Sequence, residues 1–270
     1  MGSSRPAVGL ADRPRNGHIP PRTMTEAIRR HCEEIERCNQ RGGRMLSIVD
    51  LIDAGTISRE VAAYALAAIG RGASFMVGAL PGGAGKTTVM GAMLNFVPAD
   101  VELVAADGID AIRHAPARSE PRRCYVCHEI GRGDYYAYLW GEPLRAYFEL
   151  PAAGHMLATN LHADTFEQAR RQVCGDNGIT ERAFRRMSLM FFLSVRRAGW
   201  GCTRRIEEVW ESDGAGPHRR IFQAGASSKV CGGLASAEDV SEAARIINRL
   251  FDRGARTIEQ VRELIVEARQ

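Results

Sequence analysis

Two hydrophobic periods alternate along this chain. Short, nearly continuous apolar runs read as buried strands: ASFMVGA (73–79), VELVAAD (101–107), CYVCHEI (124–130) and GHMLATNLH (154–162). Around them, apolar residues recur at spacings of three and four, the period of a helix with one buried face. Ile28, His31, Cys32, Ile35 and Cys38 share such a face, behind a capping-box spacing of Thr23 and Glu26, and RGG at 41–43 ends that helix. The stretch 46–72 predicts two helices broken at Gly55-Thr56, with Ser58 as an N-cap, and KTTVMGAMLNFV predicts another. GDYYAYLWGEPLRAYFELPAA (133–153) is helix-like in part, and the chain after 162 reads as helical to about Met187.

Farther on, LMFFLSVRR and TRRIEEVWES flank the turn AGWG and predict a hairpin, to which HRRIFQAG adds a third strand. Two amphipathic helices close the chain. One carries Val240, Ala244, Ile247 and Leu250; the other opens on the Thr257–Gln260 capping box and carries Ile258, Val261, Leu264 and Ile265. Strands alternating with helices predict parallel crossover units. The expected architecture is therefore α/β, with a mostly parallel central sheet, an antiparallel hairpin addition and a small helical C-terminal subdomain. Its expected parts are a Pro-, Gly- and Arg-rich, disordered segment at 1–22, a helix within 23–45, the core at 46–225 and the helical pair at 235–270.

Composition removes several function classes. No run of about 18 apolar residues is present, as a membrane span would need, and no apolar h-region follows the start. Seven cysteines, an odd and scattered set, predict reduced thiols and a cytoplasmic protein. With 36 Lys+Arg against 32 Asp+Glu, the net charge of +4 does not single out nucleic acid. Only two of the basic residues are lysines, Lys86 and Lys229. One of them stands where a compact ammonium would meet outer phosphates.

That lysine ends the glycine loop GALPGGAGKTT (78–88), which follows an apolar strand and opens a helix. Gly82, Gly83, Ala84, Gly85, Lys86, Thr87 and Thr88 form the expected cradle. Glycines let backbone N–H groups converge on phosphate oxygens, and the helix N-terminus adds positive dipole. Thr87 is the expected Mg²⁺ ligand. The usual pattern has glycine where Leu80 stands; Leu80-Pro81 can still leave a strand, since proline biases its predecessor toward extended backbone. Glu129 ends an apolar strand at the C-terminal edge of the sheet, where ligands bind in such folds.

The segment DLIDAGTISREVAAYALAAIGRGASFMVGALPGGAGKTT resembles the one leading into the phosphate loop of the secretion and pilus motor ATPases. CYVCHEI resembles that family's Walker B strand, GHMLATNLHADT its histidine box, and VRRAGWGCTRRIEEVWES the hairpin that follows. Four motifs in the family's order, over roughly 46–225, carry the resemblance. It implies a RecA-like P-loop core that binds ATP and Mg²⁺ and assembles into a hexameric ring. Such a ring sits at the cytoplasmic side of the inner membrane, on a platform protein of a secretion or pilus machine, with no direct nucleic-acid partner. It implies that Glu129 polarises the attacking water, that His162 lies near the γ-phosphate, that His155 is the first histidine of the box, and that Asp107 stands at the acidic box as a second Mg²⁺ ligand. The sequence departs at Ala106, His128 and Asn160, and the interval from Asp107 to Glu129 is short; Arg118, Arg122 and Arg123 lie in or beside it. A regulatory module that holds nucleotide without turnover is the alternative, and a small-molecule kinase on the same loop is a third reading.

Cys124 and Cys127 form a C-x-x-C without a matching pair, so packing is expected rather than zinc. RGD at 132–134 carries no expectation. The aromatics of YYAYLW (135–140) are expected in the core, and the arginines after 180 on solvated faces or a subunit contact.

Overall fold

The computed structural model describes residues 25–39, 42–80, 82–115, 122–198, 201–226 and 230–269. In chain order the elements are α1 (Glu26–Arg37), α2 (Ile48–Asp53), α3 (Arg59–Gly70), β1 (Phe75–Gly78), α4 (Lys86–Leu94), β2 (Glu102–Ala105) and α5 (Gly108–Arg113). Next come β3 (Arg123–Ile130), β4 (Tyr138–Leu139), α6 (Glu142–Glu149), β5 (Met156–Leu161), α7 (Phe166–Arg170) and α8 (Glu181–Phe184). The antiparallel strands β6 (Leu189–Ala198), β7 (Gly201–Glu211) and β8 (Arg219–Gln223), then α9 (Ala237–Asp252) and α10 (Ile258–Ala268), complete the chain.

One sheet runs in the order β2-β3-β5-β1-β6-β7-β8, with the short β4 paired to the end of β3. The strands from β2 to β6 in this order are parallel, and the inner ones, β3, β5 and β1, are buried almost throughout, as helices on both faces require. The β6–β7 hairpin and β8 extend the sheet antiparallel. Alternation along each strand divides the core in two. Phe75, Val77, Cys124, Val126, Ala158 and Phe191 face a layer that includes α1, α3, α4, α9 and α10. Met76, Tyr125, Cys127, Leu157 and Phe192 face the other, which includes α6, α7 and α8. Helices thus cover both faces of a mostly parallel sheet, the α/β architecture expected from the alternation.

Several boundaries differ from the sequence reading. Thr23 lies outside the described residues, and the N-cap of α1 is Thr25, whose side chain accepts from the Ile28 amide at 3.4 Å. The predicted helix from 163 to Met187 is broken: α7 passes into a π-turn at Arg171–Asp176, Gly178 takes a left-handed φ of 68°, and Thr180 caps α8. In the stretch 133–153, helix-like in part, the helical part is α6, and Tyr138 and Leu139 before it form a short strand. Tyr135 and Tyr136, expected in the core, are exposed. The two closing helices pack on α3 and α1, and their buried residues Ile247, Leu250, Ile258, Val261 and Ile265 join the same core cluster as Phe75 and Val77 of β1.

Both ends of α4 are anchored. Its first turn follows the glycine loop. At its other end the buried Arg262 of α10 donates to the carbonyls of Asn95, Val97 and Pro98, and His31 Nε2 lies 3.1 Å from the Leu94 carbonyl oxygen. A cation at the C-terminal end of a helix meets the negative pole of its dipole.

Candidate phosphate site at the end of strand β1

Strand β1 ends at Gly78, where the backbone is crowded. A Cβ there would lie 2.6 Å from the Ala163 carbonyl oxygen and 2.8 Å from the Phe192 ring. The loop then turns through Gly83 (φ 81°) and Gly85 (φ 94°), left-handed geometry that glycine adopts without strain, and Gly85 serves as the N-cap of α4. Gly85 has no side chain to cap the helix, so none competes for the first amides of α4. Thr87 and Thr88 sit half-buried in the first turn.

Leu80 replaces the customary glycine without strain, because it is not at positive φ and its side chain is exposed. Its backbone is held by the segment after β5. The Leu80 amide donates to Asp164 Oδ1 at 2.5 Å, and its carbonyl oxygen lies 3.0 Å from His162 Nδ1. The Asp164 anchor was not singled out in the sequence, although it stands inside the histidine-box stretch.

Three side chains from three elements meet beside this loop. Lys86 Nζ lies 3.7 Å from Glu129 Oε2 and 3.3 Å from His162 Nδ1, and His162 Nε2 lies 3.6 Å from Glu129 Oε1. The strand order explains the meeting. The loop follows β1, Glu129 is near the end of β3, and His162 follows β5, which lies between them. The Lys86 and Glu129 side chains are each only 7% exposed, whereas that of His162 is 47% exposed. Burial pushes the Glu129 carboxyl above the ordinary range, opposed by the charges of Lys86 and His162. Glu129 Oε1 is buried without a hydrogen-bond partner among the described residues. Such an acceptor is costly unless another donor, such as water, reaches it.

The imidazole of His162 can serve only one neighbour at Nδ1 at a time. With the proton on Nδ1 it donates to the Leu80 carbonyl. With the proton on Nε2, Nδ1 accepts from Lys86 and the N–H faces Glu129. The ring thus links the loop, the lysine and the carboxylate from one position, with the tautomer deciding which Nδ1 contact is a hydrogen bond.

Other candidates are placed elsewhere. Asp107 precedes α5 at the edge of the sheet, and its Oδ1 accepts from the Ala137 amide at 3.3 Å. Ala137 is the one described non-glycine residue at positive φ, 54°. His155 lies before β5, at the opposite end from His162; its Nδ1 accepts from the Arg123 amide at 3.2 Å and its ring packs edge-on against Tyr125. Arg123 begins β3 and pairs with Glu102, and Arg122 lies against Gly72, so neither reaches Glu129. Arg118 falls outside the described residues. Cys124 and Cys127 point into opposite cores, and burial pushes both thiols up, Cys127 to about 12. Among the described residues no group of three or more His, Cys, Asp or Glu could hold a metal ion.

One residue close to the loop escaped the sequence reading. Arg204 of β7 donates from Nε and Nη2 to the Gly83 carbonyl oxygen, at 3.4 and 3.3 Å. The alternation of TRRIEEV on a strand was the available signal, since it puts Arg204 and the buried Ile206 on one face.

No family model matches the sequence, and no curated protein matches it. Among solved structures, the chain is similar to the VirB11 ATPase of the Brucella suis type IV secretion system in complex with sulphate (18% identity, 60% of this chain and 54% of that one, TM-score 0.42). It is also similar to the ATPase DotB of Yersinia pseudotuberculosis (13% identity, 81% and 62%, TM-score 0.41) and that of Legionella pneumophila (13%, 75% and 63%, TM-score 0.37). The chain thus spans less than two thirds of the length of each.

Proposed function

We propose that this chain binds MgATP on residues 82–88 and hydrolyses it, as a motor ATPase of a secretion or pilus machine built on a RecA-like core. The observation that carries the nucleotide reading is the convergence of Lys86, Glu129 and His162 beside a loop with two left-handed glycines at a helix N-terminus. The motor reading rests on the order of the four sequence motifs.

Bound MgATP supplies a labile phosphoanhydride bond whose negative charge the cation partly neutralises. The residues present suit it. Lys86 carries a buried ammonium that a phosphate can draw away from Glu129. Glu129 is then left a desolvated carboxyl with one buried oxygen that has no hydrogen-bond partner among the described residues, an acceptor for the proton of a water brought in with the ligand. His162 Nδ1, within reach of both the Leu80 carbonyl and Lys86, would give up the lysine and keep the carbonyl once the lysine is engaged by a phosphate. Thr87 is the assigned metal ligand, with phosphate oxygens and water completing the shell, as is usual for Mg²⁺. Asp107 accepts from the Ala137 amide through Oδ1 and so shapes the 131–137 loop beside Glu129; its other oxygen would serve as the second metal ligand of this reading. Assembly into a hexameric ring and docking on an inner-membrane platform protein at its cytoplasmic face belong to the same proposal.

The buried Ala106, standing beside Asp107 where an acidic pair would place a second carboxylate, and the short interval from Asp107 to Glu129 favour the second reading, a regulatory module that holds ATP without turnover. Titration with MgATP together with steady-state phosphate release separates the two. The expected result is saturable binding lost in Lys86→Ala and phosphate release lost in Glu129→Gln with binding retained. Binding without release would leave the module. Absence of saturable binding, or binding indifferent to Lys86→Ala, would refute the nucleotide site. Mass in solution with and without MgATP tests the ring.

A further inference from the structure

We propose that Arg204 is a second cation of the phosphate site, acting within the same chain from strand β7 and contacting the part of the phosphate chain remote from Glu129. The proposal rests on the nucleotide reading of the glycine loop and adds a residue to it.

The placement follows from the sheet. Strands β3 and β5, with Glu129 and His162, lie on one side of β1; β6 and β7 lie on the other. Arg204 pairs across the hairpin with Val195, two residues before Ile206. Ile206 is buried in the same core cluster as Val89 and Met90 of α4. Side chains two apart on a strand share a face, so Arg204 lies on the face that carries α4. Its Cδ is 3.1 Å from where a Cβ on residue 85 would be, and its guanidinium reaches Gly83. The loop is thus bracketed, with the carboxylate and imidazole on one flank and a guanidinium on the other.

The present partner of Arg204 is a weak one. A guanidinium offers five donors in a planar fork, and here Nε and Nη2 share one neutral carbonyl oxygen at 3.3–3.4 Å. Neighbouring arginines are engaged with carboxylates: Arg196 with Glu207, Arg219 with Glu211 and Arg220 with Glu208. Among the described residues Arg204, like the exposed Arg205 beside it, has no such ion pair; what sets Arg204 apart is that its guanidinium lies on the glycine loop. Phosphate oxygens are better acceptors for this fork than a carbonyl, because the bond becomes charge-assisted and can be bidentate. Arg204 therefore holds Gly83 in place while no phosphate is present and turns to the phosphate chain when one arrives. Lying on the flank away from Glu129, it contacts the phosphates common to ADP and ATP.

The test is equilibrium binding of ATP, ADP and inorganic pyrophosphate to the full chain, using wild type, Arg204→Met, Arg204→Lys and, as a control on the opposite face of β7, Arg205→Met. We expect Arg204→Met to bind both nucleotides about tenfold more weakly, ~1.4 kcal/mol. Arg204→Lys, which keeps charge and loses the fork, should fall between, and Arg205→Met should match wild type. Circular-dichroism melting of each variant certifies the fold. Equal affinity of Arg204→Met and wild type for ADP overturns the proposal, as does a loss confined to ATP, which would put Arg204 at the terminal phosphate. A wild-type chain whose uptake of ATP is absent or independent of Lys86 overturns the nucleotide reading, and this proposal with it. Uptake that depends on Lys86 and not on Arg204 overturns this proposal alone.

Discussion

Replacing Arg262 by methionine removes a cation from beneath the far end of α4, the helix that follows the glycine loop. The guanidinium is buried and donates to the carbonyls of Asn95 at 3.0 Å, Val97 at 2.5 Å and Pro98 at 3.3 Å. Its burial is unfavourable, and it holds the side chain's pKa down to about 10, well below the ordinary arginine range. A fall of that size corresponds to about 3 kcal/mol of penalty on the charged form. Against it stand three hydrogen bonds from a charged donor, each contributing roughly 1.5–3 kcal/mol, so the bonds outweigh the penalty. Methionine keeps most of the apolar stem and leaves three carbonyls without that donor, at about 1 kcal/mol or more each. The expected loss is about 3 kcal/mol, or roughly 6–12 °C in Tm for a chain of this size. Urea and thermal denaturation followed by circular dichroism measure it. A variant within about 0.5 kcal/mol of wild type, or one more stable, would mean that the charge penalty dominates and that α4 needs no cation at its end.

Two further outcomes follow from buried groups. His31, His128 and His218 are all pushed below the ordinary histidine pKa, chiefly by burial, so the folded chain binds fewer protons than the unfolded one just below pH 6.5. Their contribution is complete above that pH and is lost as pH falls toward the folded values, with about 1.4 kcal/mol per pH unit as the upper limit for one histidine; a urea midpoint unchanged from pH 7 to 5 would contradict it. Gly78→Ala would drive a methyl against the Ala163 carbonyl and the Phe192 ring. A loss of about 1–3 kcal/mol, together with weaker ATP uptake, is expected, and wild-type melting would show that the crowding at β1 is relieved cheaply.

The parallel strands were legible because a strand buried on both faces must be apolar at successive positions, as in FMVG and CYVC. The glycine loop was legible because its chemistry is local. Legibility ended where tertiary contacts decide. Strand β4 has two residues, stabilised by pairing with Glu129 and Ile130 and by the Asp107–Ala137 bond, neither visible in YYAYLW. Arg122 and Arg123 stand near CYVCHEI in sequence, yet a strand of eight residues carries them about 20 Å from Glu129. His155 and His162 bound one strand, and only the second faces the loop. Arg204 depends on hairpin register, which composition does not encode.

The interleaving of strands also sets an order of assembly during synthesis. Strand β1 borders β5 and β6, both translated long after it. A nascent chain that has emerged only to about residue 150 therefore holds the loop and Glu129 with nothing to space them, and both edges of β1 remain unpaired. Open edges of that kind invite association between chains. The loop and Glu129 can reach their final spacing only once Met156–Leu161 has been made and lies between β3 and β1.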